Sequence, residues 1–351
     1  MSISFADFLA ALSGNPLLAV TVLLTLGVVF VNGWTDAPNA IATCVSTRGL
    51  RARPAIALAA VMNLAGILTM TACNATVVQT IYNMVSFGGD SRSAVTALCA
   101  AMAAIVVWAV AAWAFGIPTS ESHALIAGLT GAAIAINRGF AGVNGREWRK
   151  VLYGLALSAA LGFALGLGCG RLMNRMAARM ERRRTGDWFR HGQVLAAAGS
   201  AFMHGAQDGQ KFIGVFLLGI FLAGGRTDVT SFTIPLWMML LCSLVMAAGT
   251  SVGGYRIIKS VGMDMVKLEP HEGFAADLAA TACMLLASFG GLPVSTTHTK
   301  TTAILGVGAA RSLRRVNWSV VREMALAWAL TFPGCGLIGW GMAGLFLKLF
   351  S

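Results

Sequence analysis

Charge is scarce in this 351-residue chain: Asp, Glu, Lys and Arg together make 11% of it, against about 25% in a soluble domain. Apolar residues make 57%, and the mean hydropathy is +0.73. A soluble fold cannot bury that much apolar side chain, because its surface needs polar cover. Soluble enzymes and nucleic-acid binders are excluded. The seven cysteines form no C-x-x-C pair, which argues against a disulfide framework or a zinc site; they read as small core residues. No H-E-x-x-H and no G-x-x-x-x-G-K-[ST] occurs, so zinc hydrolysis and direct ATP use lack their usual residues. No Lys or Arg precedes Arg48. A cleavable signal wants a basic start, so the first apolar segment is expected to be retained.

What remains is long apolar runs. A span needs about 20 residues, and candidates lie at 17–47, 54–72, 95–115, 118–136 and 151–169, then at 193–223, 235–252, 273–289, 293–309 and 320–347. The expectation is an all-α polytopic membrane protein with about 10–12 membrane segments, the upper figure counting a short re-entrant or interfacial helix within 74–87. Three units are expected: 1–170, a basic cytoplasmic loop at 171–190, and 191–351. With both termini outside, most of the 26 Lys and Arg fall in inside loops, as the positive-inside rule asks. The net charge of +12 then reflects loop placement against anionic lipid rather than nucleic acid.

The two halves resemble each other. Gly33-Trp34-Thr35-Asp36 is matched by Gly205-Ala206-Gln207-Asp208, and Pro118-Thr119-Ser120-Glu121-Ser122-His123 by Pro293-Val294-Ser295-Thr296-Thr297-His298. Asp36 and His123 are 87 residues apart; Asp208 and His298 are 90 apart. Five segments per half send the second half in from the opposite side. This predicts two inverted-topology repeats with broken helices and a site near the midplane.

The motifs have their own chemistry. Pro118 and Pro293 suit the first turn of a helix. Backbone N–H groups and the hydroxyls of Ser120, Ser122, Ser295, Thr296 and Thr297 would then surround one point at the positive end of two helix dipoles, a cradle for a tetrahedral oxyanion. Gly- and amide-rich stretches at 33–38 and 204–210 interrupt apolar runs, and unwound backbone at membrane depth lines cavities. With Asp36 and Asp208 there, a hard-cation or proton site is expected. Glu121, Lys211 and Lys300 are further charges at membrane depth, each costly unless paired or functional. Lys211 would neutralise a phosphate or pair with Asp208. Single His residues such as His123, His204 and His298 are more often hydrogen-bonded core groups than metal ligands.

These residues resemble the inorganic phosphate transporter family over nearly the whole chain. The carriers are Gly33 to Ala40, His204 to Lys211, and the stretches Gly249 to Arg256 and Gly291 to His298. The resemblance implies a secondary transporter, not an enzyme. It would carry inorganic phosphate by symport with H+ or Na+, as a homodimer in the cell membrane, with no cofactor and no metal beyond a possible sodium at Asp36, Asn39 and Asp208. By motif, Thr35, Asp36, Asn39 and Asp208 would bind the coupling ion. Ser120, Ser122, Gln207, Gln210, Ser295, Thr296 and Thr297 would bind phosphate, with Glu121, Lys211 and Lys300 tuning charge. The alternatives are a sulfate or other oxyanion permease and, more remotely, an intramembrane hydrolase.

Thr35 and Gln207 replace the family's Asn before each Asp, Glu121 replaces a Thr, and Lys300 is an added cation. Lys300 is expected to point toward the site, where its ammonium would displace a sodium ion and favour proton coupling. The competing expectation is a structural pair with Glu121. Asp36→Asn and Asp208→Asn are both expected to fold, since each removes a buried charge.

Overall fold

The computed structural model describes residues 3–350 apart from 89, 117–118, 181, 227–231 and 253, with only the backbone of 182–187. Fourteen α-helices are described: α1 (Phe5–Gly14), α2 (Pro16–Thr35), α3 (Pro38–Ser46), α4 (Ala52–Cys73), α5 (Thr76–Tyr82), α6 (Ser91–Ala114), α7 (Glu121–Asn137), α8 (Gly145–Arg179), α9 (Arg182–Ala223), α10 (Leu236–Val252), α11 (Tyr255–Lys259), α12 (Pro270–Phe289), α13 (Thr296–Arg311) and α14 (Trp318–Phe350). No strand is present among the described residues; two isolated bridges, Val85–Val143 and Val266–Val316, pin equivalent loops of the two halves.

Among the described residues, six helical runs are long and apolar enough to cross a membrane: α2 with α3, α4, α6, α8, α12 and α14. A seventh forms if α10 and the run Tyr255–Asp264 count as one bent span. The remaining expected segments are α7 and α13, of 17 and 16 residues, and α9. The expected short helix within 74–87 is the seven-residue α5.

The halves exchange partners. α7 packs on α14 and α13 on α8; α4 packs on α9 and α10 on α2. Glycines bring the last two pairs into contact. A Cβ on Gly33 would lie 2.1 Å from the Met246 carbonyl oxygen, and one on Gly249 would lie 2.0 Å from that of Phe30. At the other crossing, Gly205 meets the Asn63 carbonyl at 2.2 Å and Gly66 that of Phe202 at 2.0 Å. Each half therefore inserts a helix against the other at backbone-to-backbone distance, as small residues allow in lipid.

Three expectations are corrected. The break expected at 204–210 does not form: α9 is helical throughout. Gly205 and Gly209 serve close packing against α4, and no proline lies in that stretch to remove an N–H. The break at 33–38 does form, at Asp36 and Ala37, because Pro38 cannot donate to the preceding turn; Ala37 N bonds back to the Asn32 carbonyl at 3.1 Å instead. The basic stretch 171–190 is not a loop: α8 continues to Arg179 and α9 starts at Arg182. Pro293 does not open a helix either. α13 starts at Thr296 because Ser295 caps it, accepting from His298 N at 3.1 Å. Pro118 lies outside the described residues. Of the cysteines, Cys44, Cys99, Cys242, Cys283 and Cys335 are buried, whereas Cys73 is exposed and Cys169 half-buried.

Candidate functional site

The N-termini of α7 and α13 meet at the centre of the molecule. Ser120 caps α7, accepting from His123 N at 3.4 Å, as Ser295 caps α13. The two capping hydroxyls touch, Ser295 Oγ donating to Ser120 Oγ at 2.8 Å across 175 residues. One turn on, the His123 and His298 rings stand edge to face at 4.3 Å. A capping hydroxyl satisfies the third N–H of its helix. The first N–H groups of both helices and the residual positive ends of two dipoles stay available to an anion.

Around this junction lie three buried carboxylates, Asp36, Glu121 and Asp208, and the two aspartates have different partners. Asp208, on α9, receives the Lys211 ammonium at 2.6 Å, Thr296 Oγ1 at 3.1 Å and Ser122 Oγ at 3.4 Å. Lys211 also donates to Ser122 Oγ at 2.6 Å and to the Val294 carbonyl at 2.5 Å. The Asp208–Lys211 spacing is one helical turn, which the unbroken α9 puts on one face. Asp36, at the break, is hydrogen-bonded by neutral groups: Asn39 Nδ2 at 2.8 Å and the Thr297 hydroxyl. Its Oδ2 is buried without a partner.

Four buried oxygens of α2, α3 and α7 lack a hydrogen-bond partner: Asn32 Oδ1, Asp36 Oδ2, Asn39 Oδ1 and Glu121 Oε2. A buried, unsatisfied acceptor is costly, and a set of oxygens without donors is the chemistry of a hard-cation site. His204 adds to it. Its Nδ1 faces Asn63 Oδ1 at 3.2 Å, a pairing that assigns the ring N–H to Nδ1. Its Nε2 faces Asp208 Oδ2 at 3.2 Å, a contact between a lone pair and a carboxylate unless a second proton or a cation sits there. Asp36, His204 and Asp208 offer one ligand atom each within 4.8 Å of one another.

Of the residues singled out from the sequence, Thr35, Asp36, Asn39, Ser120, Glu121, Ser122, Asp208, Lys211, Ser295, Thr296 and Thr297 are all buried at this junction. Thr35 donates to Glu121, and Asn39 also reaches Thr297 at 3.1 Å. Gln207 holds the segment before α13 instead: its Nε2 donates to Ser288 Oγ at 2.8 Å and its Oε1 accepts from Val294 N at 3.4 Å. Gln210 is tied to the Asn74 carbonyl at 2.8 Å. Lys300 pairs with neither Glu121 nor the junction carboxylates: its partner is Asp277 of α12. This is a correction, and its reason is depth along the helix: Lys300 lies one turn beyond Thr296 and Thr297 on the same face, where its neighbours are Ala40 of α3, Ser200 of α9 and Asp277 of α12 rather than the junction carboxylates. Asp277 was missed in the sequence, although a lone carboxylate in the apolar run 273–289 was a signal for it. Asn32 and His204 were also undervalued.

Comparison with known proteins bears on the family and the fold. A family model described as "Phosphate transporter family" matches residues 32–339. A Bacillus subtilis protein named "Probable low-affinity inorganic phosphate transporter" is 37% identical over 326 residues, covering 92% of this chain and 96% of its own length. A Rhizobium meliloti protein of the same name is 35% identical, covering 92% and 94%. Among solved structures, "The sodium-dependent phosphate transporter" superposes with a TM-score of 0.85 over 96% of this chain and 100% of that one; at 21% identity this concerns the fold.

Proposed function

The chain belongs to the phosphate transporter family, and from that premise we propose that it carries inorganic phosphate across the membrane by symport with sodium. The observation that carries the reading is the contact of two hydroxyl-capped helix N-termini, Ser120 and Ser295, beside three buried carboxylates of which only Asp208 has a lysine partner. Phosphate binds where α7 and α13 meet, taking their leading N–H groups and the hydroxyls of Ser120, Ser122, Ser295, Thr296 and Thr297. Near neutral pH it carries a donor proton that a carboxylate accepts. Sulfate has none and meets the same carboxylates with repulsion, so phosphate is preferred.

The cation binds at Asp36, with Asn39 and Asp208 beside it. Sodium is favoured over a proton because four oxygens, on Asn32, Asp36, Asn39 and Glu121, are buried without donors. A proton satisfies one of them, whereas a sodium ion satisfies several. The reason for a proton-coupled reading, the Lys300 ammonium at the site, falls away because Lys300 pairs with Asp277, and the Lys211 ammonium that is at the site is taken up by Asp208. The two-fold exchange of partners between halves supports inverted repeats and alternating access. The positive-inside rule supports both termini outside and 171–190 in the cytoplasm; a homodimer in the cell membrane is what the family resemblance implies.

The test is uptake of radiolabelled phosphate into proteoliposomes. An inward sodium gradient should drive accumulation, and sulfate in excess should compete poorly. No uptake under any imposed gradient refutes transport. Equal uptake in sodium-free buffer with a pH gradient refutes sodium coupling, and equal competition by sulfate makes the protein a broader oxyanion permease.

A further inference from the structure

A second buried polar cluster lies apart from the junction carboxylates, one helical turn further along α13, and the proposed transport does not use it. The Lys300 side chain is buried, and its ammonium sits among oxygens from three other helices. These are the Ala40 carbonyl of α3 at 3.1 Å, Ser200 Oγ of α9 at 3.4 Å and the Asp277 carboxylate of α12. Asp277 is fully buried and is held on both oxygens by other groups as well: Thr43 Oγ1 donates to one at 2.6 Å and Gln193 Nε2 to the other at 2.6 Å. Gln193 is fixed in turn by Gly273, whose missing Cβ leaves the space the amide oxygen occupies; a Cβ there would lie 2.6 Å from it.

Carbonyl, hydroxyl and carboxylate converging on one positive charge is the ligand set of a hard monovalent cation. Lysine's ammonium is a compact point charge on a flexible stem. We infer that Lys300 is a tethered cation filling an oxygen cage built by Ala40, Ser200 and Asp277, and that the cage becomes a binding site for a free monovalent cation once the ammonium is removed. The tether clamps α3 of the first half to α9, α12 and α13 of the second without drawing on the ion gradient. Removing a buried lysine ordinarily leaves its carboxylate uncompensated. Here the vacated cage supplies oxygens for a replacement, and Asp277 supplies the charge to hold it. The inference does not depend on which anion the protein carries.

The experiment compares the wild type, Lys300→Ala and the double variant Lys300→Ala/Asp277→Asn, purified in detergent. Thermal unfolding is followed while sodium or ammonium replaces choline at constant ionic strength. Radiolabelled sodium binding is counted per chain. Lys300→Ala should show a saturable rise of several degrees in Tm beyond that of the wild type, and one more sodium bound per chain. The double variant should lose both gains, since the carboxylate is gone. A sodium and ammonium response of Lys300→Ala equal to that of the wild type overturns the inference. So does a gain that survives in the double variant, or failure of Lys300→Ala to fold at any sodium or ammonium concentration.

Discussion

Asp36→Asn is the sharpest test of how the two central aspartates divide their work. The substitution keeps an oxygen where Asn39 Nδ2 and the Thr297 hydroxyl donate, and it removes a buried charge that no lysine or arginine pairs with among the described residues. Folding should be unharmed or improved, because the transfer cost of the carboxylate disappears. Cation binding should not survive. At an effective dielectric constant of about 20, a unit charge about 2.4 Å from a carboxylate is held by about 7 kcal/mol. If desolvation cancels two-thirds of that, the remaining ~2.3 kcal/mol still corresponds to ~50-fold in affinity. Sodium-driven phosphate uptake into proteoliposomes should therefore fall by at least ~50-fold at limiting sodium, while Tm in detergent stays at or above the wild-type value. Uptake within a few-fold of wild type, with the same sodium dependence, would refute the assignment of Asp36. Asp208→Asn is not its equivalent. It leaves Lys211 buried beside a neutral amide, so it should cost stability as well as transport, which departs from the expectation that both variants fold alike.

The remaining predictions concern stability and substrate affinity. Lys211→Met leaves Asp208 without its ammonium and should destabilise by about 3–5 kcal/mol; adding Asp208→Asn should recover most of this in thermal unfolding, and strictly additive losses would sink the pairing. Gly205→Ala places a Cβ 2.2 Å from the Asn63 carbonyl oxygen and should cost about 1–3 kcal/mol by forcing α4 and α9 apart. Gly168→Ala, with nothing within 4 Å, is the control that should cost nothing; equal Tm values for the two would contradict the close crossing. Ser295→Ala removes the cap on His298 N and the bond to Ser120. It should lose about 1 kcal/mol of stability and raise the KM for phosphate several-fold; an unchanged KM would remove Ser295 from the substrate site.

Much of the site was legible in the chain because it is written twice. The pairing of Asp36 with Asp208 and of Ser120 with Ser295 came from spacing alone, and Ser120 and Ser295 lie in hydrogen-bond contact. The Asp208–Lys211 pair is likewise a one-turn helical neighbour. The break expected at 33–38 from its Gly- and amide-rich residues does form, at Asp36 and Ala37, and the structure gives its cause as the missing N–H of Pro38. The break expected at 204–210 failed because glycines were read as unwinding signals. In α9 they are contact points for α4, and glycine composition does not distinguish close packing from an open turn.

Residue type by itself determined the environment: 11% charge and long apolar runs commit the chain to lipid, since transfer cost depends on what a side chain is and not on where it folds. It also determined which groups would be expensive enough at membrane depth to need a purpose or a partner. Only the tertiary structure decided which purpose each one has. Asp208 receives a lysine within its own helix, Asp36 receives only an amide and a hydroxyl, and Lys300 finds Asp277 across the α12–α13 hairpin rather than Glu121. These charges sit within a few turns of one another. One turn of depth along α13 separates the residues that meet Asp36 and Asp208 from the one that meets Asp277, and which helices lie at each depth is set by the packing of α13 against α8, α12 and α3, which no local stretch of sequence encodes.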